Sequence, residues 1–519
     1  MPGCSLGIIR NGKFLYKKGY GLANALKQEP NTSSTKFDIA SITKQFTAAC
    51  IALLHFREML SIEHPVNEYL PELKIDQRIK IKHLVYHESG LKDFIFSLLM
   101  LDYSWEEIEG LTEDTLFNIL KKLPELDFEP GCEHNYTNTN YFLLGLIVEK
   151  VSGKKLSEFA NEEIFVPLGM KDTSFETNFD NISSKKAVGY SLQPHRSKEE
   201  ISKAQILGPR GVYTTIDDLF KWDQNFYSAK IGGRKLIAML EKPSQEKIIG
   251  MSPKRWQREQ HNQGYAFGLL IDYYRGLRVI RHGGDFAGYT AEMMRFPEKQ
   301  LTVIVLSNIN GINPTASAFK VADVILDGEI EIPSPFKDRP KLDIKNKNID
   351  SLVGTYCKPE YNSLLSIYRS ENKIMLENDW QRAELKAIAE RTFVADINNS
   401  MLWVYQKDNS IIVENEFYNA ELKKIYALDF EKKQLDEYIG RFHNEKFDKE
   451  ILIETEGKNL KFNLNFGEQQ LSPVFPDTFR NRFLKLEFVR LNDEISSVNL
   501  TSAGAKDISY IKTNTIKKK

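Results

Sequence analysis

Ser41 and Lys44 stand three residues apart at the head of Phe46-Thr47-Ala48-Ala49-Cys50-Ile51-Ala52-Leu53-Leu54, an apolar run without Gly or Pro. Such a run reads as a buried helix. Ser41 then falls at or near its first turn, and Lys44 comes up on the same face. A serine hydroxyl becomes a nucleophile when a neighbouring base takes its proton, and a lysine partly withdrawn from water can be that base. The helix N-terminus adds positive potential and free N–H groups, which favour a neutral lysine and a developing oxyanion. The same spacing recurs at Ser33/Lys36, Ser89/Lys92, Ser152/Lys155, Ser183/Lys186, Ser244/Lys247 and Ser317/Lys320, so spacing alone selects nothing. Without its context Ser41 is an ordinary helix cap. The buried helix behind it, and partners further along the chain, single it out.

The first partner is Tyr136-Thr137-Asn138, in a turn just before the apolar run Tyr141–Val148. A tyrosine hydroxyl relays protons once nearby cations lower its pKa from about 10. An asparagine amide can hold a substrate amide at both ends. Read alone, Tyr136 is a packed loop aromatic and Asn138 a helix cap. The second partner is His282-Gly283-Gly284, at the end of an extended segment from Leu277. Glycines beside a strand-borne histidine let a ligand approach the backbone. His83 and His87, in a short helix ending at Ser89-Gly90, read as structural, since neither lies near a motif that needs them. Gly208–Leu219 reads as a structural turn leading into a helix capped by Thr215 or Asp217.

The elements that must position these residues follow from turn and period signals. Asn11-Gly12 predicts a tight hairpin between Ser5–Arg10 and Lys13–Tyr20. Glu292–Phe296 and Leu301–Leu306 form a second hairpin around Pro297-Glu298-Lys299, and Pro314–Leu326 reads as a closing helix. A proline-bearing linker at 331–345 then separates a region of strand-like runs. That region repeats itself. Asp350–Tyr356 matches Asp436–Phe442, Leu385 and Phe393 match Leu471 and Phe479, and Leu422 and Ile425 match Ile508 and Ile511, always 86 residues apart (436 − 350). A constant offset predicts two successive small antiparallel barrels of about eight strands each.

Composition sets the outer limits. A chain of 519 residues is expected to hold two to four domains. A net charge of −1 gives no reason to expect a nucleic-acid or membrane partner. Cys4, Cys50, Cys132 and Cys357 have neither metal-ligand spacing nor a disulfide framework, which fits a reducing compartment. No run approaches membrane-spanning length, and Met1-Pro2-Gly3-Cys4 does not open a signal peptide. The expected location is cytoplasmic as the sequence stands, and periplasmic or secreted if the N-terminus is incomplete.

Ser41-x-x-Lys44, Tyr136-x-Asn138 and His282-x-Gly284, in that order, resemble the motifs of the penicillin-recognising serine hydrolases: class C β-lactamases, D,D-peptidases, esterases and D-aminopeptidases. The likeness extends through Pro65–Pro71, His87-Glu88-Ser89-Gly90-Leu91, Phe165–Met170, Gly208–Leu219 and Leu306-Ser307-Asn308. It covers nearly all of residues 1–330, and the paired barrels behind look like those of D-aminopeptidases. The resemblance implies an α+β, β-lactamase/transpeptidase-like catalytic domain over 1–330, with an antiparallel sheet flanked by helices. It also implies lipocalin-like barrels over 346–430 and 431–519, a loop of the last barrel reaching the active site. It makes Ser41 the acylated nucleophile, Lys44 and Tyr136 sharers of the base role, and Asn138 the holder of the substrate amide. His282 lines the sheet side, and the backbone N–H groups of Ser41 and Asp285 form the oxyanion hole. No metal or organic cofactor is implied, and the expected partner is a small-molecule or short-peptide substrate.

Three departures from that family pattern bear on specificity. His282-Gly283-Gly284 replaces the Lys-Thr-Gly usual in β-lactamases of the group, removing a charge and a hydroxyl that help bind a substrate carboxylate; a histidine is largely neutral near pH 7. Asp285 puts a carboxylate beside the expected oxyanion hole, where it repels substrate carboxylates or attracts an amino group, unless it points to solvent. Relatives usually have a helix before the Pro-Gly strand, and a start at Met1 omits it, so the expectation is either an incomplete start or an exposed apolar face of the sheet region with reduced stability. The expected activity is hydrolysis of small D-amino-acid amides, peptides or esters. The alternatives are β-lactamase or D,D-carboxypeptidase chemistry, or an idle relative that binds a peptide or protein. Phe94–Pro124 and Gln193–Gln205 are the expected specificity loops.

Overall fold

Asn11 and Gly12 take φ of 51° and 73°, the left-handed pair that a two-residue hairpin turn requires. They fold Cys4–Arg10 back as Lys13–Tyr20. This hairpin forms one edge of a seven-stranded antiparallel sheet. Its order is Gly264–Tyr265, Leu270–Tyr274, Leu277–Phe286, Tyr289–Phe296, Leu301–Ser307, Cys4–Arg10 and Lys13–Tyr20. Tyr289–Phe296 and Leu301–Ser307 are buried at every position, the mark of central strands covered on both faces. Lys13–Tyr20, at the edge, is exposed along most of its length and carries three lysines, which discourages further pairing. The structure, a computed structural model, describes the chain apart from residues 177–184, 194–195, 201, 245–263, 331–348, 358–363, 372, 378–381, 390, 398–399, 415–418, 426–431, 482, 503 and 514–519. The expected linker at 331–345 lies within 331–348, outside the described residues.

The helix behind Ser41 spans Lys44–Phe56 and is buried from Lys44 to Leu54. It packs against the helix Asn138–Ser152, also apolar nearly all round, as helices at the centre of a domain are. The closing helix, Pro314–Ile325, starts with Asn313 as its cap and Pro314 in the first turn, the positions these residues favour. It lies across Tyr289–Phe296 and Leu301–Ser307. Thr215, not Asp217, caps Ile216–Ser228 by accepting the Asp218 N–H at 3.1 Å.

The chain divides into two compact units, and Lys92–Ile108 belongs with the barrels although it follows Leu91 in sequence. Each barrel is closed and eight-stranded, one running from Gly354 to Ile425 and the other from Gly440 to Lys512. The repeat has a packing cause: Tyr356, Leu385, Phe393 and Leu422 are buried in the first barrel, and Phe442, Leu471, Phe479 and Ile508 at the corresponding places in the second. Within this unit the short helix Phe94–Met100 is held on the second barrel. Asp93 N–H donates to Gly504 O at 2.9 Å, Tyr510 Oη to Met100 O at 2.7 Å and Asn465 N–H to Asp102 Oδ1 at 2.6 Å. Lys92 Nζ reaches Lys506 O. Among the described residues no helix is long and apolar enough to cross a membrane.

Candidate active site

Ser41 lies in a 3-10 turn, Ala40–Thr43, that runs directly into the Lys44 helix. Ala40 before it has φ of +44°, a left-handed conformation that costs a residue with a side chain about 1 kcal/mol or more. Asp38 offsets that cost. Its buried carboxylate accepts the Ala40 N–H at 2.7 Å. Burial pushes the carboxyl up to about 6, against the pull of that hydrogen bond and of Arg210 nearby.

Lys44 has no solvent exposure. Its Nζ lies 3.0 Å from Ser41 Oγ, 3.0 Å from Asn138 Oδ1 and 2.9 Å from Pro209 O. An amine has three such directions, and two point at oxygens that can only accept. The third is thereby aimed at the serine oxygen, whether it carries a proton or a lone pair. Pro209 comes from the turn read above as structural. That turn is tied to the nucleophile helix by Thr47 Oγ1 donating to Gly208 O at 2.8 Å and Val212 N–H to Thr43 Oγ1 at 3.1 Å. A backbone carbonyl carries no residue-type signal, so the sequence could not reveal this partner.

Asn138 is the first residue of its helix rather than part of the turn before it, and the cap is Thr137, whose Oγ1 accepts the Thr139 N–H. Its amide oxygen is turned to Lys44 instead. The ring of Tyr136 lies 4.8 Å from Lys44 Nζ. Its centroid is also 6.1 Å from that of His282, so one small volume collects the residues of all three motifs.

The sheet side is contributed by Leu277–Phe286. His282 is 4% exposed. Its Nδ1 lies 2.6 Å from Gly283 O, which can only accept, so the ring proton sits there, and Nε2 accepts the Tyr265 hydroxyl at 3.1 Å. Burial, reinforced by the neighbouring Lys44, holds the imidazole down at about 3. His282 is thus neutral with both nitrogens engaged. At Gly284 a Cβ would stand 2.3 Å from Ile39 O and 3.1 Å from the Ala40 Cβ, so only glycine lets the strand pass this close to the serine turn. A Cβ at Gly283 would instead meet Glu292 and Thr315, so a threonine there would face the closing helix and not the serine. Asp285 is exposed, with its carboxyl raised by partial loss of water. It has no ion pair with any described residue. Arg210 stacks on Phe286 at 4.1 Å and is lowered to about 10 by burial, against the opposing charges of Asp38 and Glu109; it remains cationic at neutral pH.

Two further ring-bearing residues carry no catalytic signal in the sequence. Tyr265 holds His282 and lies in a short strand with no motif to mark it. His87 lies in a stretch shared with the family but reads as structural, since none of the three catalytic motifs is beside it in sequence; in space its ring centroid is 4.4 Å from that of Tyr136. Among the described residues no cluster of His, Cys, Asp and Glu has the makings of a metal site.

The family model described as Beta-lactamase matches residues 1–324. Penicillin-binding protein 4* of Bacillus subtilis is 28% identical over 364 residues, 66% of this chain and 77% of that protein. A D-aminopeptidase of Brucella canis is 25% identical over 367 residues, 70% of this chain but 65% of that protein. Among solved structures, an octameric penicillin-binding protein homologue from Pyrococcus abyssi has a TM-score of 0.59 at 25% identity, covering 81% of this chain and 96% of its own. A penicillin-binding protein from Bacillus halodurans shares the fold, with a TM-score of 0.54 at 22% identity over 62% of this chain and 96% of its own.

Proposed function

This chain belongs to the beta-lactamase family of serine hydrolases, and from that premise we propose that it cleaves small D-amino-acid amides, peptides or esters through an acyl-enzyme on Ser41. The observation that carries the reading is the Lys44 Nζ to Ser41 Oγ distance of 3.0 Å, with the amine enclosed and its other two directions held by Asn138 and Pro209. Lys44 takes the serine proton as Oγ attacks the scissile carbonyl. The tetrahedral oxyanion is received by the backbone N–H groups of Ser41 and Asp285. Tyr136, against Lys44, passes the proton to the leaving amine or alcohol, and Asn138 orients the substrate amide. Water then attacks the ester carbonyl of the acyl-enzyme, the same groups moving the proton in reverse, and Ser41 is restored.

Side-chain charge supports the substrate class. A neutral His282 with both nitrogens engaged offers no cation to a substrate carboxylate. The exposed Asp285 carboxylate, one residue past Gly284, suits a free α-ammonium. Arg210 favours a second reading, in which the cation stacked on Phe286 receives the carboxylate of a β-lactam or of a D-alanyl-D-alanine end.

The test is hydrolysis of D-alanine p-nitroanilide, its L counterpart, its N-acetyl derivative, an aryl acetate and a chromogenic cephalosporin, by wild type and Ser41→Ala. The proposal expects the D-anilide to exceed its N-acetyl and L forms by about tenfold, one favourable contact's worth, and every turnover to vanish with Ser41→Ala. Preference for the cephalosporin would transfer the assignment to the second reading, and preference for the acetylated amide would remove the free α-ammonium from the proposed substrate class. A folded wild type that turns over nothing and gains no mass at Ser41 would overturn both and leave a binding protein.

A further inference from the structure

The backbone N–H groups on either side of Tyr136 are both taken by one residue. Asn135 N–H donates to His87 O at 2.9 Å, and Thr137 N–H donates to His87 Nδ1 at 3.2 Å. Between these two bonds the imidazole lies against the tyrosine ring, centroids 4.4 Å apart. Asn140 Nδ2, 3.3 Å away, is a second donor to the same Nδ1, and its own amide is oriented by Ser89 Oγ, which donates to Asn140 Oδ1 at 2.7 Å. Two donors aimed at Nδ1 require that nitrogen to be bare, so the ring is neutral with its proton on Nε2. A protonated ring would set N–H against N–H and open the turn. His87 is fully buried, and its Nε2 has no hydrogen-bond partner among the described residues. It also sits at φ of +60°, a left-handed conformation uncommon for residues with a side chain, though histidine enters it more readily than most. An orphaned buried donor and a left-handed backbone are both costs. Hydrophobic packing alone would be met more cheaply by a leucine.

We propose that His87 is a positioning residue for Tyr136: its carbonyl and Nδ1 clamp the peptide groups flanking the tyrosine and hold the phenol at the Ser41–Lys44 pair during proton transfer to the leaving group. This rests on the proton-relay role of Tyr136 given above, which Tyr136→Phe tests by itself: a folded Phe variant with wild-type kcat removes that role and with it the proposal.

The experiment is a double-mutant cycle on anilide or ester turnover, whichever the wild type catalyses faster. His87→Ala is expected to lower kcat about 30-fold with KM changed less than threefold, within the range for losing a general acid's alignment. His87→Asn places Oδ1 where Nδ1 stood and is at ease at positive φ; it is expected to recover kcat to within about threefold of wild type. In a Tyr136→Phe background His87→Ala is expected to cost less than about twofold more, because the residue it acts through is already gone. Full additivity of the two substitutions, or equal losses in His87→Ala and His87→Asn, would overturn the proposal. If His87→Ala does not fold, His87→Gly, which accepts the left-handed backbone, takes its place in the cycle with the same criteria.

Discussion

Gly284→Ala is a one-carbon perturbation whose consequence can be worked from the contact it creates. The new Cβ would stand 2.3 Å from Ile39 O and 3.1 Å from the Ala40 Cβ. The first distance is about 1 Å inside ordinary van der Waals contact, and the obstacle is backbone, which cannot rotate away. Either the Leu277–Phe286 strand or the Ala40–Thr43 turn must therefore shift by roughly 1 Å, and a displacement of that size at reacting atoms costs about 10²-fold in rate, or ~3 kcal/mol. Gly283→Ala serves as the control. Its Cβ would meet Glu292 Oε2 at 3.1 Å, the end of a side chain on the far face, and no backbone atom closer than Ala291 O at 3.5 Å, so its expected loss is about threefold or less. The assay is kcat for the best substrate, together with the rate at which a fluorophosphonate labels Ser41, which reads the serine alone. A Gly284→Ala enzyme within threefold of wild type in both would refute the argument that strand-to-turn approach sets the geometry of the nucleophile. Equal losses in the two alanine variants would refute the assignment of the two glycines to opposite faces.

Lys44→Met keeps the stem and removes the amine; kcat is expected to fall by at least about 10³. The same change removes the hydrogen bonds from Lys44 Nζ to Asn138 Oδ1 and Pro209 O, and a melting curve should show about 1–3 kcal/mol of lost stability. Ester turnover within tenfold of wild type would remove Lys44 as the base. Acid should weaken the fold through His282: the unfolded ring takes its proton near 6.5 and the folded one only near 3, so the unfolded state binds more protons and about 2 kcal/mol is lost between pH 7 and 5. Asp38, raised to about 6, works in the opposite sense by about 1 kcal/mol over the same range. Urea midpoints at both pH values should therefore show a smaller acid loss in His282→Gln and a larger one in Asp38→Asn than in wild type. At Gly504 an added Cβ would stand 2.1 Å from the Phe96 ring; Gly504→Val is expected to loosen Lys92–Ile108 from the second barrel at a cost of about 1–3 kcal/mol, seen as faster amide exchange at Phe94–Met100, and unchanged exchange there would count against it.

Much of this fold follows from local signals along the chain. Asn11-Gly12 specified a hairpin, because only left-handed turn residues match the twist of the two strands. The apolar run behind Ser41 specified a buried helix and put Lys44 beside it, since helical spacing is a local property. The 86-residue repeat specified two barrels, because each offset pair fills the same interior place. Tertiary structure decided the rest, for a common reason: it involves groups whose partners are distant in sequence or whose identity leaves no mark in it. The carbonyl of Pro209 completes the surroundings of Lys44, though any residue could have supplied it. His87 looked structural because it is 49 positions from Tyr136 (136 − 87), and only packing brings it to both neighbours of that tyrosine. Gly283 and Gly284 are the same letter in the sequence; the pleat turns one toward Glu292 and the other toward the serine. Lys92–Ile108 carries no signal of its attachment to the second barrel, because hydrogen bonds such as Asp93 to Gly504 O use the backbone, and backbone groups look alike in every sequence.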